Sequence, residues 1–123
     1  MNDTDTTSVR TGRIFERKAC HFLQRQGLVL IAENFRCPGG EIDLIMRDGD
    51  CLVFVEVRYR RHADFGDGAE SIDWRKQQRL INCGERYLQQ RTDQTQAVRF
   101  DVISFGMNHG EETLQWIKDA FQA

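Results

Sequence analysis

A chain of 123 residues with 40% hydrophobic and 29% charged residues has the balance of one soluble globular domain with a real core. The formal net charge of −2 does not advertise a nucleic-acid binder. No apolar run approaches the roughly 20 residues of a membrane span.

Three of the 17 basic residues, Lys18, Lys76 and Lys118, are lysines and the other 14 are arginines. The planar arginine fork suits phosphate better than a point charge does, although solvated helices also carry many arginines. The polar start from Met1 to Thr7, with Asp3 and Asp5, has no basic-plus-apolar signal pattern. Cys20, Cys37, Cys51 and Cys83 form no CxxC pair and have no histidine at ligand spacing, so reduced thiols in a cytoplasmic protein are expected. Residues 1–10 are expected to be a disordered arm and 11–123 a single domain.

Ile14, Phe15, Ala19, Phe22 and Leu23 recur at helical spacing, predicting a helix over 11–27 with Thr11 as its cap and Gly27 as its stop. Glu16 edges the buried stripe of that helix; the plain alternative is an exposed first-turn acid favoured by the helix dipole. Leu28 to Arg36 reads as a first strand, and Cys37-Pro38-Gly39-Gly40 as a turn.

Gly40 to Met46 and Leu52 to Arg58 follow as two strands joined at Arg47-Asp48-Gly49-Asp50, a hairpin signal. Side-chain alternation places Ile42, Leu44 and Met46 on one face of the first strand and Glu41, Asp43 and Ile45 on the other. In the second strand Leu52, Phe54, Glu56 and Arg58 share a face. Asp43 is therefore expected beside Glu56, with Arg58 two places on.

Arg58-Tyr59-Arg60-Arg61-His62 is the densest basic run in the chain, and it continues the strand that carries Glu56. Its position favours phosphate contact over a merely solvated strand end. Ala63 to Glu70, with Gly66 and Gly68, reads as a flexible loop. Ser71 or Asp73 caps a second helix running to about Gln90, whose apolar stripe includes Ile72, Leu80, Cys83, Tyr87 and Leu88. Gln77 projects to the core side of this helix and needs a polar partner. Arg75, Lys76 and Arg79 make the same region positive.

After a polar loop at 91–96, Val98 to Phe105 reads as a fourth strand and Asn108-His109-Gly110 as a turn. Residues 113–121 fit a strand or a helix, with a strand preferred for 113–117. A mixed sheet flanked by helices satisfies this order of elements.

Two carboxylates and a cation on a mostly apolar hairpin are costly unless something uses them. Mg²⁺ takes oxygen ligands, and Asp43, Glu56 and the backbone carbonyl of Val57 would supply them. An ion held there would polarise a phosphodiester and lower the pKa of a water. Arg58 would stabilise charge developing in the transition state. Glu16 and Gln77 would orient the ligands or the water. The plain alternative is a structural ion-pair cluster of Asp43, Glu56 and Arg58. A thiol enzyme fits poorly, since Cys51 sits at the hairpin turn with no histidine placed near it.

The ordered set of Glu16 in a helix, Gly-Glu-Ile-Asp-Leu-Ile at 40–45 and Phe-Val-Glu-Val-Arg-Tyr-Arg at 54–60 resembles the PD-(D/E)xK nuclease superfamily. More closely, the chain is similar to the YraN family of small bacterial proteins, related in fold to archaeal Holliday junction resolvases. The likeness continues through Phe65-Gly66, Lys76-Gln77, Tyr87-Leu88, Arg99-Phe100-Asp101-Val102 and Ala120-Phe121, covering roughly residues 11–121. It implies an α/β, restriction-endonuclease-like core: a four- to five-stranded mixed sheet flanked by helices.

The resemblance further implies a Mg²⁺- or Mn²⁺-dependent endonuclease, with Asp43 and Glu56 as metal ligands, Glu16 as the helix carboxylate and Gln77 as the helix amide. The chain departs from the pattern at Arg58, where the superfamily carries lysine. Arginine stays protonated and cannot serve as a general base, although Lys76 or Lys18 could reach the site from a helix.

The expected substrate is DNA, branched or otherwise structured, with Arg58, Arg60, Arg61, Arg75, Lys76 and Arg79 as phosphate contacts. A symmetric dimer would suit a branched substrate with two equivalent strands. The competing expectations are a nucleic-acid-binding module that has lost its chemistry and a protein-interaction domain for another DNA-processing factor.

Overall fold

The computed structural model describes residues 3–60, 72–91 and 97–123, with side chains described from residue 12 onward. The elements in chain order are α1 (Asp3–Arg25), β1 (Val29–Cys37), β2 (Gly40–Asp48), β3 (Cys51–Arg60), α2 (Trp74–Gln89), β4 (Ala97–Asn108) and β5 (Glu111–Phe121). The strands form one five-stranded mixed sheet in the order β1-β2-β3-β4-β5. β3 and β4 run parallel and the other neighbours antiparallel. This is an α/β fold consistent with a restriction-endonuclease-like core.

Short turns explain the antiparallel pairs. Asp48 pairs with Cys51, leaving Gly49-Asp50 as a two-residue turn in which Gly49 takes φ +58°. His109-Gly110 closes β4 to β5 in the same way, with φ +52° and +81°. The parallel step needs a crossover, which α2 supplies. Asp73 caps α2, its carboxylate accepting the Lys76 N–H at 2.8 Å. α1 stops in a Schellman motif: Gly27 takes φ +99°, and the Leu28 and Gly27 N–H groups donate to Leu23 and Gln24.

The helices cover opposite faces of the sheet, so the central strands are buried on both sides. On the α1 face, Ala19, Cys20 and Leu23 pack with Leu44, Met46, Val53, Val55, Ile103 and Phe105. On the other, Leu80, Ile81 and Cys83 of α2 pack with Ile42, Ile45, Leu52, Phe54 and Phe100. Gly84 brings α2 close: a Cβ there would stand 2.9 Å from Phe54 Cε2. Asp101, fully buried in β4, is held by Arg99, by Trp116 Nε1 at 2.9 Å and by the Asp119 N–H at 2.9 Å.

Several expectations change. The backbone of α1 begins at Asp3, inside the stretch expected to be an arm, and Thr11 lies within the helix rather than capping it. Ile14 and Leu88, assigned to buried stripes, are exposed. Ile42 packs with the α2 cluster rather than beside Leu44 and Met46, because strand alternation breaks near Asp43. Cys37 and Cys83 are joined as a disulfide with Cα atoms 5.7 Å apart, which corrects the expectation of four reduced thiols; Cys20 and Cys51 are free. The 46-residue separation of Cys37 and Cys83 hid a pairing that the docking of α2 against the β1–β2 turn creates. The residues expected at 113–121 to be strand or helix are strand. Arg61, the loop from Ala63 to Glu70, Ser71 and residues 92–96 lie outside the described residues. Among the described residues, no helix is long and apolar enough to cross a membrane.

Candidate active site

The β2–β3 ladder runs from Asp48↔Cys51 to Leu44↔Val55 and ends there. Beyond that point β2 stays paired with β1, through Ile42↔Phe35 and Glu41↔Arg36. β3 stays paired with β4 from Glu56↔Val102 to Arg60↔Gly106. The two strands therefore part immediately after Leu44 and Val55, and the residues at the fork are Asp43 and Glu56. Asp43 Oδ2 accepts the Val57 N–H at 2.8 Å, taking the place of a continued ladder.

Asp43 is 9% exposed and Glu56 6%. Their carboxyl groups are hydrogen-bonded to each other. Burial, the neighbouring Glu56 charge and that hydrogen bond push the Asp43 carboxyl up to about 9, with a smaller push from Glu16; the Val57 N–H pulls the other way. Two buried carboxyls this close repel each other when both are charged, and they are a ready pair of oxygen donors for a hard cation, since a cation removes the repulsion that raises Asp43.

Cations approach from two elements. Lys76 reaches from α2 to within 2.5 Å of Glu56 Oε2, with its own side chain 47% exposed. Arg58 follows Glu56 on β3; burial and the Arg60 charge push its guanidinium down, while Glu56 opposes them. α1 contributes Glu16, whose Oε1 accepts the Asn34 side-chain N–H at 3.0 Å. Asn34 holds φ +51° in β1, a left-handed conformation that asparagine tolerates better than most residues.

Glu16, Asp43, Glu56, Arg58, Val57 and Lys76 are thus brought around one fork. Gln77 is placed differently: its Nε2 donates to the Ile72 carbonyl at 2.9 Å, tying down the entry to α2. Arg75 and Arg79 are exposed on α2, and Arg60 ends β3. Sequence reasoning missed Asn34. Its signal was an asparagine inside a strand pattern, where a left-handed kink is the common reason for that residue.

No three His, Cys, Asp or Glu side chains among the described residues come together as a cage. Mg²⁺ is commonly held by one or two carboxylates with the remaining positions left to water and phosphate oxygens, so the Asp43–Glu56 pair fits that donor set. Thiol chemistry does not fit: burial, then the Glu33 charge, push the Cys20 thiol up.

The family profile described as "Uncharacterised protein family UPF0102" matches residues 15–105. A UPF0102 protein of Pseudomonas putida is 49% identical over 115 residues, covering 92% of this chain and 94% of the relative. One from Pseudomonas savastanoi pv. phaseolicola is 50% identical over 116 residues, covering 93% and 94%. One from Nitrosococcus oceani is 46% identical over 112 residues, covering 90% of each. At this identity and coverage the chain belongs to the UPF0102 family, the YraN family that its ordered motifs resemble.

Proposed function

We propose that this protein is a Mg²⁺- or Mn²⁺-dependent DNA endonuclease that hydrolyses a phosphodiester bond in branched or otherwise structured DNA. The single supporting observation is the fork: two buried carboxyls sharing one hydrogen bond, with a backbone N–H on one and a lysine on the other. In this reading Asp43 and Glu56 hold the ion, with the Val57 carbonyl beside them. When bound, the ion supplies polarisation of the phosphodiester and neutralisation of developing charge. Arg58 holds a phosphate oxygen. Lys76 provides the lysine that β3 lacks, from α2. Glu16, braced by Asn34, orients the water that attacks phosphorus as the P–O bond to the leaving strand breaks.

A second reading, a nucleic-acid-binding module without chemistry, is favoured by Arg58 standing where the superfamily pattern has lysine. One experiment separates them. Linear, nicked, flapped and four-way-junction DNA are incubated with the pure protein in Mg²⁺, in Mn²⁺ and in chelator, beside Asp43→Asn. Cleavage that needs metal and disappears in Asp43→Asn supports the endonuclease. Salt-sensitive binding with intact DNA in every lane supports the module. Cleavage that survives Asp43→Asn overturns the assignment of the fork.

A further inference from the structure

The face of α1 turned to β1 carries a row of basic side chains apart from those on β3 and α2. Arg13, Arg17 and His21 follow one another at intervals of four residues, about 6 Å of helix axis each, and all three are exposed. With Glu16, Glu33 and Asn34 they line a cleft of about 430 Å³ between α1 and β1. Between residues 12 and 25 the helix carries four permanent cations, Arg13, Arg17, Lys18 and Arg25, against the one carboxylate of Glu16, in a chain whose formal net charge is −2. α2 carries a like excess, Arg75, Lys76, Arg79 and Arg86 against Glu85, so positive charge gathers on the two helices, and α1 holds the share that borders this cleft.

Lys18 faces β5, paired with Glu112 at 3.0 Å and lying over the Phe15 ring. Among the described residues Arg13 and Arg17 form no ion pair, and they stand on the cleft wall. The cleft leads to the fork. Glu16 and Leu44 belong to its lining, and Glu16 is near enough to Asp43 to raise that carboxyl.

Resting on the nuclease reading, we propose that the α1–β1 cleft is the entry path of the nucleic-acid backbone, its phosphates seated on Arg13, Arg17 and His21. From Arg13 to His21 the row spans about 12 Å, three to four phosphates of one B-form strand. A strand lying along it arrives at Asp43 and Glu56 from the α1 side, opposite the Lys76 side of α2. Glu33 on the β1 wall opposes the path and sets a limit on affinity.

The test is fluorescence anisotropy with labelled single-stranded and four-way-junction DNA in chelator, over a series of salt concentrations. The proteins are the wild type, Arg13→Gln/Arg17→Gln, Arg75→Gln/Arg79→Gln, Glu33→Gln and Asp43→Asn. The α1 double variant is expected to bind at least about tenfold more weakly, with the slope of log K against log salt smaller by about 1.4–1.8, as two lost phosphate contacts require. Glu33→Gln is expected to bind about two- to fivefold tighter, a gain that misfolding cannot produce. Unchanged affinity and slope in the α1 variant overturn the proposal, as does a loss confined to the α2 variant. Wild-type protein that ignores DNA but binds anionic phospholipid vesicles also overturns it. DNA held through α1 yet uncut in Mg²⁺ or Mn²⁺ defeats the catalytic reading alone, and cleavage with α1-independent binding defeats this one alone.

Discussion

Asp43 carries the site's most unusual chemistry, because a carboxyl with an ordinary value of 3.8 is pushed up to about 9 in the folded protein. The folded state holds this proton across the interval in which the unfolded chain has released it. Stability from this group is therefore full below about pH 4 and is lost as pH rises toward 9. Asparagine keeps an acceptor for the Val57 N–H and a donor for Glu56, but has no proton to lose. Asp43→Asn should flatten the fall of stability between pH 5 and 9, removing up to about 1.4 kcal/mol per pH unit at the ceiling. Urea unfolding of both proteins at a series of pH values measures it, and parallel curves would show that Asp43 ionises freely. Glu56, Glu16 and Lys76 face the same group in both proteins, so the difference isolates Asp43.

Among the elements, α2 is the one whose seat matters most, since it delivers Lys76 to Glu56 and also closes one core. Gly84 sets its distance from the sheet. A methyl there would meet Phe54, which is 2% exposed and packed on Phe100 and Tyr87. Overpacking of this kind costs about 1–3 kcal/mol, against about 1 kcal/mol gained in helix propensity, so Gly84→Ala should lose about 1 kcal/mol. Thermal or urea denaturation gives the number; a stabilised variant would mean that Phe54 yields easily. The disulfide fastens the same helix to the β1–β2 turn. Protein purified without reductant and unfolded in denaturant should titrate two thiols rather than four. Four reactive thiols would restore the expectation of a fully reduced chain.

For the whole molecule, a cation held at the fork is a ligand of the folded state, because β2 and β3 must first be paired and then parted to present both carboxylates. Mn²⁺ or Mg²⁺ should therefore raise the melting temperature of the wild type. The gain corresponds to about 2.7 kcal/mol at a concentration a hundred times the dissociation constant, and is absent in Asp43→Asn. Differential scanning calorimetry reads this without reference to cleavage. Equal stabilisation of both proteins would place the ion elsewhere.

The chain by itself determined the strands, the β2–β3 hairpin and the kind of residue at the site. Period-two alternation, Asp-Gly and His-Gly turns and an Asp73 cap are local physics, readable within a dozen residues. The acids Asp43 and Glu56 stood out because charge inside an apolar hairpin needs a reason. Three-dimensional folding decided what local pattern could not express: the fork beyond Leu44 and Val55, the reach of Lys76 to Glu56, the bracing of Glu16 by Asn34, and the meeting of Cys37 with Cys83. Each joins residues far apart in the chain, and their separation is set by which helix packs on which face of the sheet. Alternation carries no information about that choice once both faces are buried.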